Sequence, residues 1–220
     1  ASIKSFFKFL LANEFVEKNP ATNIQWPKLP ESQQPKYITI EEFKKIIGVI
    51  DTGKKRQYTH WVIIHLLFLT GMRISEALHL KNKDVDLRKK IIIIERGKGN
   101  KSRIIPIGNS LMPILSQYKK KMRGRPESWL FPSNRSNSGH MTPQNVRQFI
   151  SKYCAKSGIK TSRISPHVLR HSFATTLYQE KGVDLLRIAT LLGHNSTKTT
   201  EIYAHTSTSH LRNAVDLLEI

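Results

Sequence analysis

Residues 56–80 read RQYTHWVIIHLLFLTGMRISEALHL, and this stretch decides the fold. Trp61–Leu69 is the longest apolar run of the chain, interrupted by His65. It is far shorter than the roughly 20 apolar residues that cross a bilayer, so it predicts a core helix over Arg56–Leu69 and no membrane segment. Thr70–Gly71 breaks that helix, and Arg73–Leu80 begins another. Downstream, Ile91–Glu95 and Ser102–Ile107 are β-branched runs on either side of Gly97-Lys98-Gly99-Asn100-Lys101. That pattern is a hairpin with a glycine-rich, basic tip.

Further helices are predicted at about Ser110–Met122, Thr142–Lys156, Pro166–Gln179, Asp184–Leu192 and Thr197–Ala204, and a short strand at Trp129–Phe131. Pro166 after Ser165 is an N1 proline behind its cap; Gly182 and Gly193 are natural stops. Upstream, Thr39 with Glu42 three residues on forms a capping box. The predicted fold class is mainly α with a small antiparallel β-sheet (α+β).

The N-terminus reads differently. Ile3, Phe6, Phe7, Leu10 and Leu11 have helical spacing. The following stretch, with Pro20, Pro27, Pro30 and Pro35, has no periodicity and offers that helix no partner. Residues 1–18 are therefore expected to be the last helix of a mostly absent N-terminal domain, 19–38 a linker, and 39–220 the main domain. The chain opens on Ala1, which predicts processing or excision from something longer. At the other end, Leu211, Ala214, Val215 and Leu218 place an apolar stripe on the segment at about 208–220.

The chain has 220 residues, with 36 Lys and Arg against 16 Asp and Glu, a formal charge of +20. So large an excess on a chain with a foldable core suits a polyanion, and nucleic acid is the usual one. The single cysteine, Cys154, excludes an internal disulfide and fits a reducing cytoplasm.

Six residues carry candidate chemistry: Arg73, Lys98, His167, Arg170, His194 and Tyr203. Arg73 follows a helix-stopping glycine, where a guanidinium suits bidentate phosphate binding, and Glu76 three residues on is placed to orient a basic neighbour. Lys98 sits between two glycines at the hairpin tip, where an ammonium can reach a groove and act as an acid. His167 and Arg170 share a helix face near its N-terminal amides. His194 follows the glycine stop, and Tyr203 offers a phenolic oxygen. Each alone is better read as a surface pair, a turn lysine, a cap or a packing residue; their joint presence is harder to dismiss. Zinc is poorly supported, with one cysteine and no paired Cys or His–Glu–x–x–His pattern. Gly97-Lys98-Gly99 is too short for a nucleotide-binding loop.

Thr70-Gly71-Met72-Arg73-Ile74-Ser75-Glu76, Gly97-Lys98-Gly99-Asn100-Lys101, His167-Val168-Leu169-Arg170-His171-Ser172-Phe173-Ala174, Leu191-Leu192-Gly193-His194 and Thr199–Tyr203 resemble the tyrosine recombinase (phage integrase) family, its Xer-like branch above all. The resemblance covers about Thr39 to the C-terminus and implies the catalytic-domain fold of that family. It implies a site-specific recombinase that cuts and rejoins double-stranded DNA through a 3′-phosphotyrosyl link and a Holliday junction, for dimer resolution or for moving or resolving a mobile element. In that reading Tyr203 is the nucleophile, Arg73 and Arg170 clamp the phosphate, and His194 hydrogen-bonds it. His167 accepts the tyrosine proton and Lys98 is the acid. No metal or other cofactor is required.

The resemblance further implies four protomers on two sites, with a paralogous partner recombinase as one option. The C-terminal helix would then dock on a neighbouring protomer, although its stripe serves equally for folding back. Lys101, Arg103, Arg147 and Lys198 are candidate DNA-backbone contacts, and the protein is expected on DNA in the cytoplasm. A type IB topoisomerase and a non-catalytic DNA-binding regulator on the same scaffold are the competing readings. An RNA-binding role lacks an aromatic-rich strand to support it.

Overall fold

The computed structural model describes residues 2–23, 37–95, 102–134, 136, 138–159, 164–193 and 208–218. The chain divides into two compact units, Ala1–Pro35 and Lys36–Ile220. The first holds helix α1 (Ser2–Ala12), which closes where Glu14 turns to positive φ. Ile3, Phe6, Phe9, Leu11 and Phe15 are exposed.

In the second unit, α2 (Ile40–Gly48) opens on the expected capping box: the Glu42 N–H donates to Thr39 Oγ1 at 3.2 Å and the Thr39 N–H to Glu42 Oε2 at 3.0 Å. Helix α3 (Lys55–Thr70) is the centre of the core. Almost every residue from Tyr58 to Thr70 is buried, on all its faces, which only a helix surrounded by protein tolerates. It is covered chiefly by α5 (Leu111–Met122) and α7 (Pro166–Thr175), and also by α4 (Ile74–Leu78) and α6 (Pro143–Lys156). Helix α8 (Leu185–Leu192) is capped by Asp184, whose Oδ1 accepts from the Arg187 N–H at 3.0 Å.

The sheet is antiparallel in the order β1 (Val85–Asp86), β2 (Ile91–Ile94), β3 (Arg103–Pro106). Ile92 lies opposite Ile105, and Ile94 opposite Arg103. Ile92, Ile94 and Ile105 are buried while Ile104 is exposed, so one face of the pleat meets the core. β1 is a third strand beyond the expected hairpin, too short to show a period. The hairpin tip, 96–101, lies outside the described residues, as does the helix expected at 197–204.

Two expectations change. Trp129 makes only an isolated bridge to Lys81, not a strand; its would-be partner turns at once into the 3₁₀ turn Asn82–Asp84. The helix from Pro166 gives way at Thr176–Glu180 to a π turn, closed by the Lys181 N–H on Thr176 O. In the single chain α9 (Thr208–Asp216) takes one of its two expected seats, folded onto its own unit against β3 and α8. Ala214, Val215 and Leu218 are buried there. The Asn109 N–H donates to Asp216 Oδ1 at 2.8 Å, and the Ser110 hydroxyl to Leu218 O at 2.9 Å. A single chain meets its own apolar surface at the highest effective concentration, so the stripe is covered in cis.

Helix α3 also carries an acid liability. His65 contacts Trp61 O through Nδ1 at 2.8 Å, and His60 Nδ1 meets the Tyr153 hydroxyl at 2.9 Å while its ring stacks on Phe149. Burial pushes both imidazoles down from 6.5 to about 4, with Arg56 and Lys152 adding to the effect at His60. The unfolded chain therefore takes up protons that the folded chain refuses. Stability should be level above pH 6.5 and fall as pH drops from there to about 4. The loss is on the order of 3 kcal/mol for His65, and less for His60, whose ring lies nearer the surface. Urea midpoints measured at pH 7.5 and pH 5 check this. Equal midpoints would contradict the buried neutral rings.

Candidate active site

The site is built where two helices end. Helix α3 stops at Gly71, which adopts φ 60°, and α8 stops at Gly193 with φ 63°. Both stops leave main-chain carbonyls without helical partners, and these point at two arginines. Arg170, on α7, donates Nη1 to Gly71 O at 2.6 Å and Nη2 to Leu192 O at 2.8 Å. Arg73, the N-cap of α4, reaches Gly193 O with Nη2 at 3.4 Å. Cations at helix C-termini sit in a favourable field. Arg170 is bound to residues 99 and 22 positions away in sequence, so it joins the two helix ends.

Glu76 organises the other side. Its side chain is only 5% exposed. It accepts the Arg73 main-chain N–H at 2.7 Å and Arg73 Nη1 at 2.9 Å. The fork of Arg103 reaches the same carboxylate, Nη1 to Oε1 and Nη2 to Oε2, both at 2.7 Å. Burial alone would raise the Glu76 pKa. The Arg103 hydrogen bonds and charge, followed by the Arg73 N–H and guanidinium, outweigh it and hold the carboxyl below its usual value. At Arg170 burial lowers the guanidinium to about 10, and the neighbouring Arg73 charge adds to this. Arg170 thus stays charged at neutral pH. Three guanidiniums and one carboxylate, three minus one, leave an excess of two positive charges in a half-buried setting. A dianionic or monoanionic oxyacid is the chemistry that such a cluster favours.

His167 is exposed at the second position of α7, one turn before Arg170. Arg147 is exposed on α6. Arg103, expected on a DNA backbone, is instead turned inward onto Glu76, its side chain only 15% exposed. The pleat explains this: Arg103 shares the core face with Ile105 and lies opposite buried Ile94. Lys98, Lys101, His194, Lys198 and Tyr203 lie outside the described residues. The chain leaves Gly193 for His194 from the point that Arg73 holds.

An open groove of about 770 Å³ runs from Arg73 and Glu76 past His79, Lys81 and Trp129 to Glu95 at the end of β2. His79 and Trp129 pack with His140, the His79 and His140 rings 4.6 Å apart. Sequence reasoning did not find this ring cluster, because its three members come from separate segments with no common period. Among the described residues no three His, Cys, Asp or Glu side chains gather as a metal site, and no helix is long and apolar enough to cross a membrane.

Comparison with known proteins adds to this geometry. The model of the phage integrase family matches residues 36–210. Tyrosine recombinase XerA of Pyrococcus furiosus is 39% identical over 218 residues, covering 98% of this chain and 71% of that protein. A crystal structure of XerA recombinase superposes with a TM-score of 0.66 at 29% identity, covering 96% of this chain and 80% of the other. The XerH site-specific recombinase, solved bound to its difH substrate before cleavage, gives a TM-score of 0.64 at 28% identity, covering 97% of this chain and 62% of the other.

Proposed function

This chain belongs to the phage integrase family of tyrosine recombinases, and we propose that it breaks and rejoins double-stranded DNA at a specific site through a covalent tyrosine intermediate. The observation that carries the reading is the pair Arg73 and Arg170, drawn together by the carbonyl ends of α3 and α8 with an excess of positive charge. A guanidinium has five N–H donors, so each arginine can hold its carbonyl partners and still meet the non-bridging oxygens of a phosphodiester. As charge builds on the pentacoordinate phosphorus, both stabilise it.

The Tyr203 oxygen attacks phosphorus, the bond to the 5′ oxygen breaks, and a 3′-phosphotyrosyl link forms. The phenolic proton passes to His167, and Lys98 gives a proton to the departing 5′ oxygen. A phenol of pKa near ~10 is a weak nucleophile at neutral pH, so both the base and the cationic pocket are needed. His194 donates to the same phosphate. The phosphotyrosyl link conserves the energy of the bond it replaced, and a 5′ hydroxyl of a second strand reverses the step. Exchange of both strand pairs through a Holliday junction calls for four protomers on two sites. In that assembly α9 would leave its own unit for a neighbour's, and α1 would belong to an N-terminal domain gripping the opposite DNA face. Relaxation by a type IB topoisomerase is the weaker reading, because relatives over nearly the whole chain carry recombinase names.

The test is an SDS-resistant protein–DNA adduct on nicked duplexes drawn from the DNA around the chain's own gene, where loss of the short strand traps the cleaved state. Tight binding with no adduct on any such duplex would sink the enzymatic reading in favour of a DNA-binding regulator. Lys98→Ala should slow cleavage of an ordinary phosphodiester by about 10²–10⁴-fold. A 5′-bridging phosphorothiolate, whose sulfur leaves without a proton, should recover most of that rate. If the variant is equally slow on both substrates, Lys98 is not the acid.

A further inference from the structure

Arg103 has no place in the chemistry above, yet its guanidinium lies where three segments of the site meet. It rises from β3, the strand leading out of the hairpin that bears Lys98. Its fork takes both oxygens of Glu76 at 2.7 Å. Its stem lies flat against Gly193: a Cβ there would fall 2.8 Å from Arg103 Cδ. The positive φ of Gly193 and this contact together require glycine at the position before His194.

The geometry points to Arg103 as a positioning residue for strand cleavage, one that keeps Glu76 from capturing Arg73. This inference rests on the recombinase reading and names a regulator of its phosphate clamp. A buried carboxylate beside a guanidinium ordinarily binds it bidentately. Here that mode is taken by Arg103, leaving Arg73 a single side-chain bond through Nη1 to Oε1 while Nη2 swings to Gly193 O. Glu76 thereby fixes the Arg73 orientation without neutralising its whole fork. Without Arg103, the Glu76 carboxylate would close on Arg73 and turn it from the phosphate. A DNA-backbone role fits this geometry poorly: the fork is held on the carboxylate through both Nη groups, the side chain is only 15% exposed, and Nε is buried with no hydrogen-bond partner among the described residues.

Single-turnover cleavage at saturating DNA should fall by about 10²-fold in Arg103→Ala, the scale of a roughly 1 Å misplacement of a clamping group. DNA affinity and its salt dependence should stay at the wild-type values. Arg103→Lys keeps charge but not the fork and should fall in the same way; it also serves if the alanine variant does not fold. In an Arg73→Lys background, Arg103→Ala should cost little more, because it acts through Arg73.

A salt slope reduced by about 0.9 would make Arg103 a phosphate contact and overturn the proposal. So would losses that multiply in the double variant, which mark an independent structural role, or wild-type cleavage by Arg103→Lys. A wild type that binds but forms no adduct overturns the recombinase reading together with this one. A wild type that cleaves beside an Arg103→Ala that cleaves equally overturns this one alone.

Discussion

Tyr203→Phe is expected to reduce the covalent DNA adduct to background while DNA affinity changes by no more than a few-fold. The change removes one oxygen and leaves the ring. Loss of one hydrogen bond is worth about 1 kcal/mol in binding, but loss of the attacking atom removes the covalent route entirely. The fold narrows the choice of nucleophile. Of the six tyrosines, Tyr58, Tyr118 and Tyr153 are buried in the core around α3. Burial raises all three phenols, that of Tyr118 to about 12, which makes them worse nucleophiles as well as inaccessible ones. Tyr37 and Tyr178 are exposed, and Tyr178 stands on the π turn after α7. Tyr178→Phe is therefore the matched control, expected to keep full adduct yield. An adduct from Tyr203→Phe as abundant as that of the wild type would remove Tyr203 from the reaction, and its loss in Tyr178→Phe would move the role there.

What could be read without coordinates was mostly local. A capping box, a glycine stop and a hairpin with a basic tip are each settled within a few residues, so Thr39, Gly71, Gly193 and the β2–β3 pairing follow from sequence alone. Glu76 as a partner for Arg73 is of the same kind, three residues apart on one turn. Arg103 shows the limit. Charge alone assigned it to DNA, although the alternation Arg103-Ile104-Ile105 already placed it on the side of Ile105, and Ile105 had to face the core. The pleat, followed one residue further, would have turned it inward.

The bonding of Arg170 to Gly71 O and Leu192 O was not legible at all. Main-chain carbonyls carry no sequence signal, and helix packing alone brings two of them to one side chain. Nor was the cis seat of α9 decidable, since the same stripe of Ala214, Val215 and Leu218 satisfies either surface. The ring cluster of His79, Trp129 and His140 is of this non-local kind too.

Gly71→Ala should be the most damaging small substitution in the described fold, and it would act on stability and cleavage together. Gly71 holds φ 60°, where an L side chain costs about 1–2 kcal/mol. A Cβ would also stand 2.4 Å from Phe173 Cδ1 and 2.8 Å from Leu192 Cδ2. Phe173 is fully buried and cannot swing away, so the backbone must yield, at a further cost of about 1–3 kcal/mol. The combined loss should lower the melting temperature by on the order of 10 °C in a chain of this size. The yielding backbone is also the one whose carbonyl holds Arg170 at 2.6 Å, and it leads directly into Arg73. Cleavage should therefore fall even at temperatures where the variant is folded, by about 10²-fold if the two arginines shift by roughly 1 Å. Gly48→Ala separates this from a general effect of the substitution. Gly48 closes α2 without positive φ, and a Cβ there meets nothing within 4 Å, so alanine should be neutral or slightly stabilising. A Gly71→Ala protein that melts with the wild type would mean that the α3–α7–α8 junction is looser than these contacts require. The coupling of Arg170 to the helix ends would then lose its physical basis.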